Sequence, residues 1–154
     1  MIDRICFYTL LQSKECTGRI PVSDKRIPLA LINLEIEAAV PIFLYAAIGW
    51  EALEPSFGQP ATTMLFKIWR NTSEANTLVY SVKDSAEPRS NRNRVTSFCH
   101  IDSSFDKPEA VVYTLTAESP DRNGAAQITG YVSFVATIFA KDINGYDSGI
   151  HCNL

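Results

Sequence analysis

The chain has 154 residues, which is long enough to bury an independent hydrophobic core and predicts a single domain. Its 14 basic and 17 acidic residues give a net charge of −3 without a long run of either sign. This balance argues against nucleic-acid binding, because phosphate neutralisation needs a clustered basic surface. Only 20% of the residues are charged, which leaves neutral surface available for contact with other proteins.

The first part of the chain, residues 1–28, is predicted to form an N-terminal arm. Ile5 to Leu11 alternates and is compatible with a strand, whereas the residues that follow are polar and are interrupted by glycine and proline. The opening residues contain too short an apolar run for a cleaved secretory signal. The most apolar window, AAVPIFLYAAIGW, falls short of the roughly 20 residues that a membrane helix needs. We therefore expect neither a cleaved leader nor membrane insertion.

Residues 29–142 alternate between apolar and polar side chains and predict a β-sandwich. Strands are expected at Leu29–Glu37, Ile42–Trp50, Thr62–Arg70, Thr77–Lys83, Arg94–Ile101, Ala110–Glu118 and Gln127–Lys141. Ile42–Trp50 is nearly apolar on both faces, which is typical of a strand in the middle of a sandwich. In the third of these strands, Met64, Phe66 and Ile68 are expected to share one face, opposite Leu65, Lys67 and Trp69. Inward-facing side chains are expected at Leu78, Tyr80, Val82, Val111, Tyr113, Leu115 and Ala117.

The last strand, Gln127–Lys141, is the longest and has two different faces. The apolar face carries Ile128, Gly130, Val132, Phe134, Ala136, Ile138 and Ala140. Of these, Ile128, Val132, Phe134, Ala136 and Ile138 are predicted to fill the core. The opposite face contains Tyr131, Val135 and Phe139, and it is too apolar for plain exposure to solvent. We expect a neighbouring subunit to cover part of this second face.

The pattern as a whole predicts an all-β, jelly-roll-like β-sandwich of about eight strands, with the extended arm before it and a C-terminal tail, residues 143–154, after it. A jelly roll is favoured over an immunoglobulin sandwich, because several loops are long enough to cross between sheets. In addition, no tryptophan is bracketed by two cysteines at the immunoglobulin spacing.

No catalytic constellation is evident, so the sequence predicts neither an enzyme nor a bound cofactor. Cys99 and His100 are neighbours on a strand and point to opposite faces, which excludes a thiolate–imidazole dyad there. His100 and Asp102 share a face and could hydrogen-bond, although a surface histidine beside a carboxylate is the more ordinary interpretation. No two cysteines have the spacing of a zinc site, so no metal site is expected.

The four cysteines lie mainly on the extensions, with Cys6 and Cys16 in the arm, Cys152 in the tail and Cys99 in a strand. One interpretation is four reduced thiols in a cytosolic protein, and another is internal pairing of unknown connectivity. The sharper hypothesis is that the arms reach a neighbouring subunit and are locked to it by disulfides. A thiol on a flexible arm is chemically suited to such pairing, so all four are candidates for inter-subunit disulfides.

The arm also has the pattern of a strand that adds to the sheet edge of another copy. Its alternating residues include Ile5, Phe7, Tyr8 and Leu10. In such a contact, main-chain hydrogen bonds supply affinity and side-chain pockets supply the register. Head-to-tail contacts of this kind build a filament unless the rotation closes them into a ring.

The order of the strands LALINLEIE, IFLYAAIGW, TTMLFKIW, TLVYSVKDS, RVTSFCHID, AVVYTLTAE and GYVSFVATIFA resembles the small jelly-roll proteins of spore-forming Firmicutes. These include the pilus-like endospore appendage subunits and related spore-surface proteins. The resemblance implies a subunit made without a leader, which polymerises by strand augmentation and inter-subunit disulfides. It also implies that Cys6 and Cys16 match the cysteines of the N-terminal connector and that Cys99 is an acceptor, whereas Cys152 has no counterpart.

The leading functional hypothesis is therefore a self-assembling structural subunit of an extracellular, cell-surface or spore-surface filament, which is a head-to-tail homo-oligomer. One alternative is a lectin-like module that binds a glycan. Its candidate sugar-stacking side chains are Trp50, Trp69, Tyr80 and Tyr131. Another alternative is a phage or viral structural protein, although the lack of a basic arm argues against a shell protein that lines nucleic acid.

Overall fold

The structure is a computed structural model that describes residues 5–36, 40–53, 61–105, 108–120 and 125–141. The strands are β1 (Ile5–Val22), β2 (Ile27–Ile36), β3 (Ile42–Leu53), β4 (Thr62–Asn71), β5 (Asn76–Ala86), β6 (Asn93–Asp102), β7 (Glu109–Glu118) and β8 (Ala125–Lys141). Within the described ranges, no helix is long and apolar enough to cross a membrane.

The strands form two four-stranded antiparallel sheets. Sheet A has the order β1-β8-β3-β6, and sheet B has the order β2-β7-β4-β5. Strand β1 pairs with β8, β2 with β7, β3 with β6 and β4 with β5, so that each pair of strands encloses the next pair in the sequence. This nested pairing is a jelly roll, so the predicted fold class is confirmed.

The hydrophobic core lies between the two sheets and is built from alternate residues of the strands. Sheet A contributes Trp50 and Phe134, and sheet B contributes Phe66 and Tyr113, all of them fully buried. Full burial of an apolar side chain of this size stabilises the fold by roughly 1.5–3 kcal/mol, so this layer holds the sheets together. The inward-facing residues predicted for β7 are all buried, and Met64, Phe66 and Ile68 of β4 share one buried face. Strand β3 is an interior strand, as its apolar pattern predicts.

Strand β8 is confirmed as a spanning strand, since it pairs with β1 on one side and with β3 on the other. Its predicted inward face is buried or partly buried at Ile128, Val132, Phe134, Ala136 and Ile138. Gly130 departs from the prediction, because it is exposed and has a φ angle of 79°. This left-handed conformation is accessible to glycine at no steric cost, and it marks an irregularity in the strand.

The N-terminal arm is part of the sandwich within this chain. Ile5–Val22 forms the edge strand β1, whose backbone pairs with β8 along nearly its whole length, with a register shift between Cys16 and Ile20. The polar residues after Leu11 therefore continue the strand to Val22, and β2 begins at Ile27. An edge strand tolerates polar side chains, so a strand at the edge of a sheet need not alternate between apolar and polar residues.

The predicted orientation of Leu78 is also wrong, because its side chain is 44% exposed. The register between β4 and β5 shifts at this point, so that Ile68 lies opposite Tyr80 while Trp69 lies opposite Leu78. One extra residue in β5 therefore turns the side chains at the start of this strand to the opposite face of the sheet, as a β-bulge does.

A polar tie between the sheets is formed by Asp84 of β5. Arg94 donates a hydrogen bond of 2.9 Å to this carboxylate, and the Thr96 hydroxyl donates one of 2.6 Å, both from β6. The buried Trp50 indole in turn donates to Thr96 at 2.8 Å. Burial raises the pKa of Asp84, but the hydrogen bonds from Thr96 and Arg94 lower the pKa by more, so the carboxylate stays charged.

Candidate functional site

On the outer side of sheet A, strands β3, β6 and β8 present a group of residues without charge, and we call this group the uncharged face. It consists of Phe43, Tyr45 and Ala47 of β3, of Val95, Ser97, Cys99 and Ile101 of β6, and of Tyr131, Ser133, Val135 and Thr137 of β8. Four of its large apolar or aromatic side chains are exposed, at 38% for Tyr45, 74% for Val95, 59% for Ile101 and 65% for Tyr131. Such side chains usually lie apart from one another on a surface, so their grouping marks a candidate contact site.

The register of sheet A aligns these residues in rows across three strands. Tyr45 lies between Val135 of β8 and Cys99 of β6, and Phe43 lies between Thr137 and Ile101. Cross-strand neighbours in such rows lie about 5 Å apart, so their side chains form one continuous surface.

The predicted interface residues Tyr131 and Val135 both lie on the uncharged face. The backbone of Phe139 continues β8 opposite Phe7, and its side chain lies outside the part of the chain that the structure describes. The prediction that a neighbouring subunit covers this face stays a prediction.

Among the predicted crosslinking cysteines, Cys99 has an exposed, free thiol on the edge strand β6. The backbones of Cys6 and Cys16 lie in β1, opposite Ala140 and Gly130, and their side chains are outside the described set. Cys152 lies outside the described residues altogether.

The predicted augmenting residues of the arm take part in backbone pairing within their own chain. Their partners in β8 are known from the register, which pairs Ile5 with Lys141, Phe7 with Phe139, Tyr8 with Ile138 and Leu10 with Ala136. Their side chains are outside the described set, so pairing with a second copy stays a prediction.

A second candidate site is an open cleft of about 500 Å³ beside the irregularities of sheet A. It is lined by Gly18, Arg19, Glu51, Arg92, Asn93, Thr129 and Gly130. The register of β1 shifts after Cys16, and the pairing of β3 with β8 shifts between Ile48 and Trp50. Bulges are over-represented next to functional sites, because they re-aim side chains and leave backbone groups unpaired.

Glu51 forms the buried floor of this cleft and is only 3% exposed. One carboxylate oxygen accepts hydrogen bonds from Nε and Nη2 of Arg92, the first at 2.6 Å. The other oxygen accepts one from the side-chain amide of Gln127 at 2.5 Å. The hydrogen bonds from Gln127 and Arg92 hold the pKa of Glu51 below its usual value, although burial opposes them. Glu51 is therefore a charged group that holds Arg92 in place, and both of its carboxylate oxygens already accept hydrogen bonds.

The candidate sugar-stacking aromatics are mostly unavailable in the folded chain. Trp50 is fully buried, and Tyr80 packs against Phe98 and His100 with ring centroids 5.6 and 5.0 Å apart. The guanidinium of Arg26 lies 4.3 Å from the ring centroid of Trp69 and covers it. Tyr131 is the most exposed member of the predicted set, at 65%.

His100 and Asp102 are not brought together as a base and its orienting carboxylate. His100 stacks on Tyr80, while Asp102 accepts hydrogen bonds from Arg70, Ser104 and Tyr113. Within the described ranges, no three His, Cys, Asp or Glu side chains are grouped as a metal site would require.

The cleft residues were missed by sequence reasoning, which gave neither Glu51 nor Arg92 a functional role. Glu51, Arg92 and Gln127 are far apart in the chain and meet only through the pairing of β3 with β8 and β6. The available signal was a pair of glycines, Gly49 and Gly130, which interrupt two otherwise regular strands. Glycine inside a strand often marks a bulge or a close backbone approach.

Comparison with known proteins supports the fold. A scan against protein-family models and a search of curated proteins find no match. Among solved structures, Eiger TNF from S. frugiperda aligns with a TM-score of 0.52 at 10% identity, over 95% of this chain and 99% of that one.

Two further structures align with lower scores. The structure of the infectious bursal disease virus Gx strain gives a TM-score of 0.49 at 14% identity, over 93% of this chain and 33% of that one. The CBM22-1 xylan-binding domain of Paenibacillus barcinonensis Xyn10C gives 0.39 at 10% identity, over 88% and 86% of the two chains. The likeness to Eiger TNF, at 10% identity, supports the fold alone, because a shared fold does not carry a shared function.

Proposed function

We propose that this protein is a structural subunit that assembles with copies of itself through the uncharged face of sheet A. The observation that carries the proposal is the grouping of Tyr45, Val95, Ile101 and Tyr131 as exposed side chains on a face without charge. Apolar surface of this kind gains free energy when it leaves water, at roughly 25 cal/mol per Å². We propose a role in assembly rather than in catalysis.

The edge of the sheet adds support to the proposal. Strand β6 is an edge strand, and its outward residues Val95, Ser97, Cys99 and Ile101 include no charge. Natural proteins usually protect a sheet edge with charged side chains, proline or a bulge, because an unprotected edge pairs with other chains. The outward side of this edge therefore lacks charged protection, although Arg94 and Asp102 of the same strand turn charges inward.

A second copy of the chain is the occupant that this face fits best. A face without charge offers no electrostatic basis for selecting a different, charged partner. The same face on a second copy is self-complementary about a two-fold axis, and two sheets pack face to face about 10 Å apart.

The size of the face indicates that a further contact contributes to assembly. Three strands about 4.8 Å apart and seven residues at about 3.3 Å each give a footprint of roughly 300 Å². A stable interface buries roughly 800 Å² on each partner, so this face alone would hold two copies weakly. A two-fold contact also closes after two copies and does not extend into a filament.

Exchange of β1 between copies is the second contact that we propose. The backbone of β1 pairs with β8 along nearly its whole length at the edge of sheet A. The same hydrogen bonds form in trans when β1 of one copy docks on β8 of the next, which is strand augmentation. Repeated exchange would extend the assembly into a head-to-tail filament, as in the appendage subunits that the sequence resembles.

Disulfides at the margin of the uncharged face would make the assembly permanent. Cys99 presents a free thiol there, and Cys6, Cys16 and Cys152 are its candidate partners in a neighbouring copy. Lasting disulfides form in an oxidising environment, so this part of the proposal places the assembly outside the cell or on a cell or spore surface.

The test compares Ile101→Asp with Leu78→Asp by light scattering after size-exclusion chromatography and by negative-stain microscopy. Both side chains are exposed, at 59% and 44%, but Leu78 lies on sheet B. We expect Ile101→Asp to assemble less than the unsubstituted protein while its circular dichroism and melting temperature stay unchanged, and Leu78→Asp to assemble as the unsubstituted protein does. Equal assembly of both variants, or an unsubstituted protein that stays monomeric, would overturn the proposal.

A non-reducing gel tests the disulfides separately. We expect a ladder of covalent oligomers that reductant collapses and that Cys99→Ser shortens. Oligomers that are unchanged in Cys99→Ser would exclude this residue as a crosslinking site.

A further inference from the structure

The cleft of sheet A lies where several irregularities of the strands coincide, which is typical of a binding site. Three irregularities coincide there: the register shift of β1 after Cys16, the left-handed Gly130 of β8, and the shift between Ile48 and Trp50. Gly49 allows a close approach of β3 to β8, because a Cβ at this position would overlap the carbonyl oxygen of Thr129. The two register shifts interrupt the regular pairing of sheet A at this point.

The floor of the cleft orients one guanidinium group. Glu51 is buried and binds Nε and Nη2 of Arg92 through one oxygen, while Gln127 holds the other oxygen. A buried ion pair adds little net stability, because desolvation of the charges offsets their attraction. Its effect here is to fix Arg92, whose side chain is 56% exposed and whose Nη1 group remains directed away from this pair.

Arg19 supplies a second positive group. It is exposed, lines the same cleft and lies near enough to Glu51 to lower the pKa of that carboxyl. Among the residues that the structure describes, none forms an ion pair or hydrogen bond with the Arg19 side chain. The guanidinium groups of Arg19 and Arg92 carry two positive charges, and the carboxylate of Glu51 carries one negative charge. These three groups therefore give the cleft a net positive charge.

We propose that this cleft binds a sugar that carries a carboxylate, such as a uronic or sialic acid. Arg19 and Arg92 hold the carboxylate, since guanidinium groups bind carboxylates through paired, charge-assisted hydrogen bonds. The side chains of Asn93 and Thr129 and the backbone at Gly130 offer donors and acceptors to the hydroxyl groups. A volume of about 500 Å³ is in the range of small-molecule sites and accommodates one or two sugar rings.

The test is isothermal titration of the full-length protein with galacturonic acid, N-acetylneuraminic acid, neutral galactose and inorganic phosphate. We expect one or both acidic sugars to bind and galactose and phosphate not to bind. Arg19→Gln and Arg92→Gln should each weaken binding by about tenfold or more, as loss of a hydrogen bond between charged groups does. Arg89→Gln is the matched control, because this arginine is exposed in the β5–β6 turn and does not line the cleft.

Arg19→Gln is the decisive variant, because its side chain is exposed and its loss should leave folding intact. Binding of galactose as strong as that of the acids would overturn the proposal, and so would no binding of either acid. Equal binding of phosphate would show a general anion site and would overturn the assignment to a sugar. The proposal is independent of assembly, since Ile101→Asp should retain full binding.

Discussion

The phenol of Tyr113 donates a hydrogen bond of 2.8 Å to the carboxylate of Asp102, from sheet B to sheet A through the closed interior of the sandwich. Arg70 of β4 donates to both oxygens of the same carboxylate at 2.9 Å, and Ser104 donates to one of them. Burial raises the pKa of Tyr113 and the adjacent Asp102 raises it further, so the phenol keeps its proton and remains a donor. Asp102 is therefore a polar clamp between the sheets.

Tyr113→Phe should reduce the free energy of unfolding by about 2 kcal/mol, which is typical of a lost hydrogen bond to a charged group. The ring remains and the core stays filled, so the change isolates the hydroxyl. Urea unfolding at neutral pH measures the difference. Tyr45→Phe is the control, because Tyr45 is on the outer face and should give no change. Equal stability of Tyr113→Phe and the unsubstituted protein would show that the clamp contributes nothing.

Acid should destabilise the protein, because the pKa values of Glu51, Asp84 and Asp102 lie below their usual range. In Glu51 the hydrogen bond from Gln127 is the largest cause. In Asp84 and Asp102 burial raises the pKa, but hydrogen bonds outweigh it. A carboxyl with a lower pKa in the folded state binds protons less readily than in the unfolded state, so lowering the pH favours unfolding.

The stabilising contribution of these three carboxyls is complete above their unfolded-state pKa values of about 4 and is lost as the pH falls through the lower folded-state values. We expect the urea midpoint to be level from about pH 7 to about pH 5 and to fall below about pH 4. Asp102→Asn should have a shallower fall, since one of the titrating groups is gone. A midpoint that rises on acidification would contradict the assignment.

Gly49→Ala should destabilise the fold by about 1–3 kcal/mol, because the added Cβ would overlap the carbonyl oxygen of Thr129 and the backbones would have to separate. Gly18→Ala is the matched control, since a Cβ there meets nothing within 4 Å. Thermal melts of the two variants give the comparison. Equal melting temperatures would show that β3 and β8 separate at this point without cost.

Thr96→Val should cost about 2–3 kcal/mol, because it leaves the buried indole N–H of Trp50 without its acceptor and removes one donor to Asp84. Valine has nearly the shape of threonine, so packing is preserved. Unfolding followed by tryptophan fluorescence measures the loss, and Thr77→Val at an exposed position is the control. If Thr96→Val lost no more stability than the control, the indole N–H of Trp50 would have found another hydrogen-bond acceptor.

The core was predictable from the sequence because burial repeats every second residue along a strand. Met64, Phe66 and Ile68 alternate with partly exposed residues as their pattern predicts, and so does the whole inward face of β7. The prediction was wrong where the period breaks, at Leu78 and at Gly130. A bulge shifts the facing of a strand by one residue, and its position depends on the partner strand rather than on local sequence.

The cleft was not predictable, because its charges are assembled by pairing between distant segments. Arg92 belongs to a turn that local composition describes as solvated, yet its guanidinium binds the buried Glu51 of β3. No periodicity links these residues to Gln127 or Arg19. The uncharged face was partly foreseen, since the apolar residues of β8 indicated a second contact surface. Its extension to Tyr45 and Ile101 followed only from the strand order.

The nested pairing of the strands also implies an order of folding. Closing the β4–β5 hairpin joins residues separated by a short turn, whereas joining β1 to β8 directly would close a loop of about a hundred residues. Because the entropic cost of closing a loop grows with the logarithm of its length, closing β1 on β8 first costs about 3 kcal/mol more than closing the β4–β5 hairpin. Folding is therefore favoured to start at the hairpin. Each completed pair then brings the next together, so the sandwich closes from β4–β5 outward and β1 docks last. The strand that completes the monomer is thus the one still unpaired when a second chain arrives.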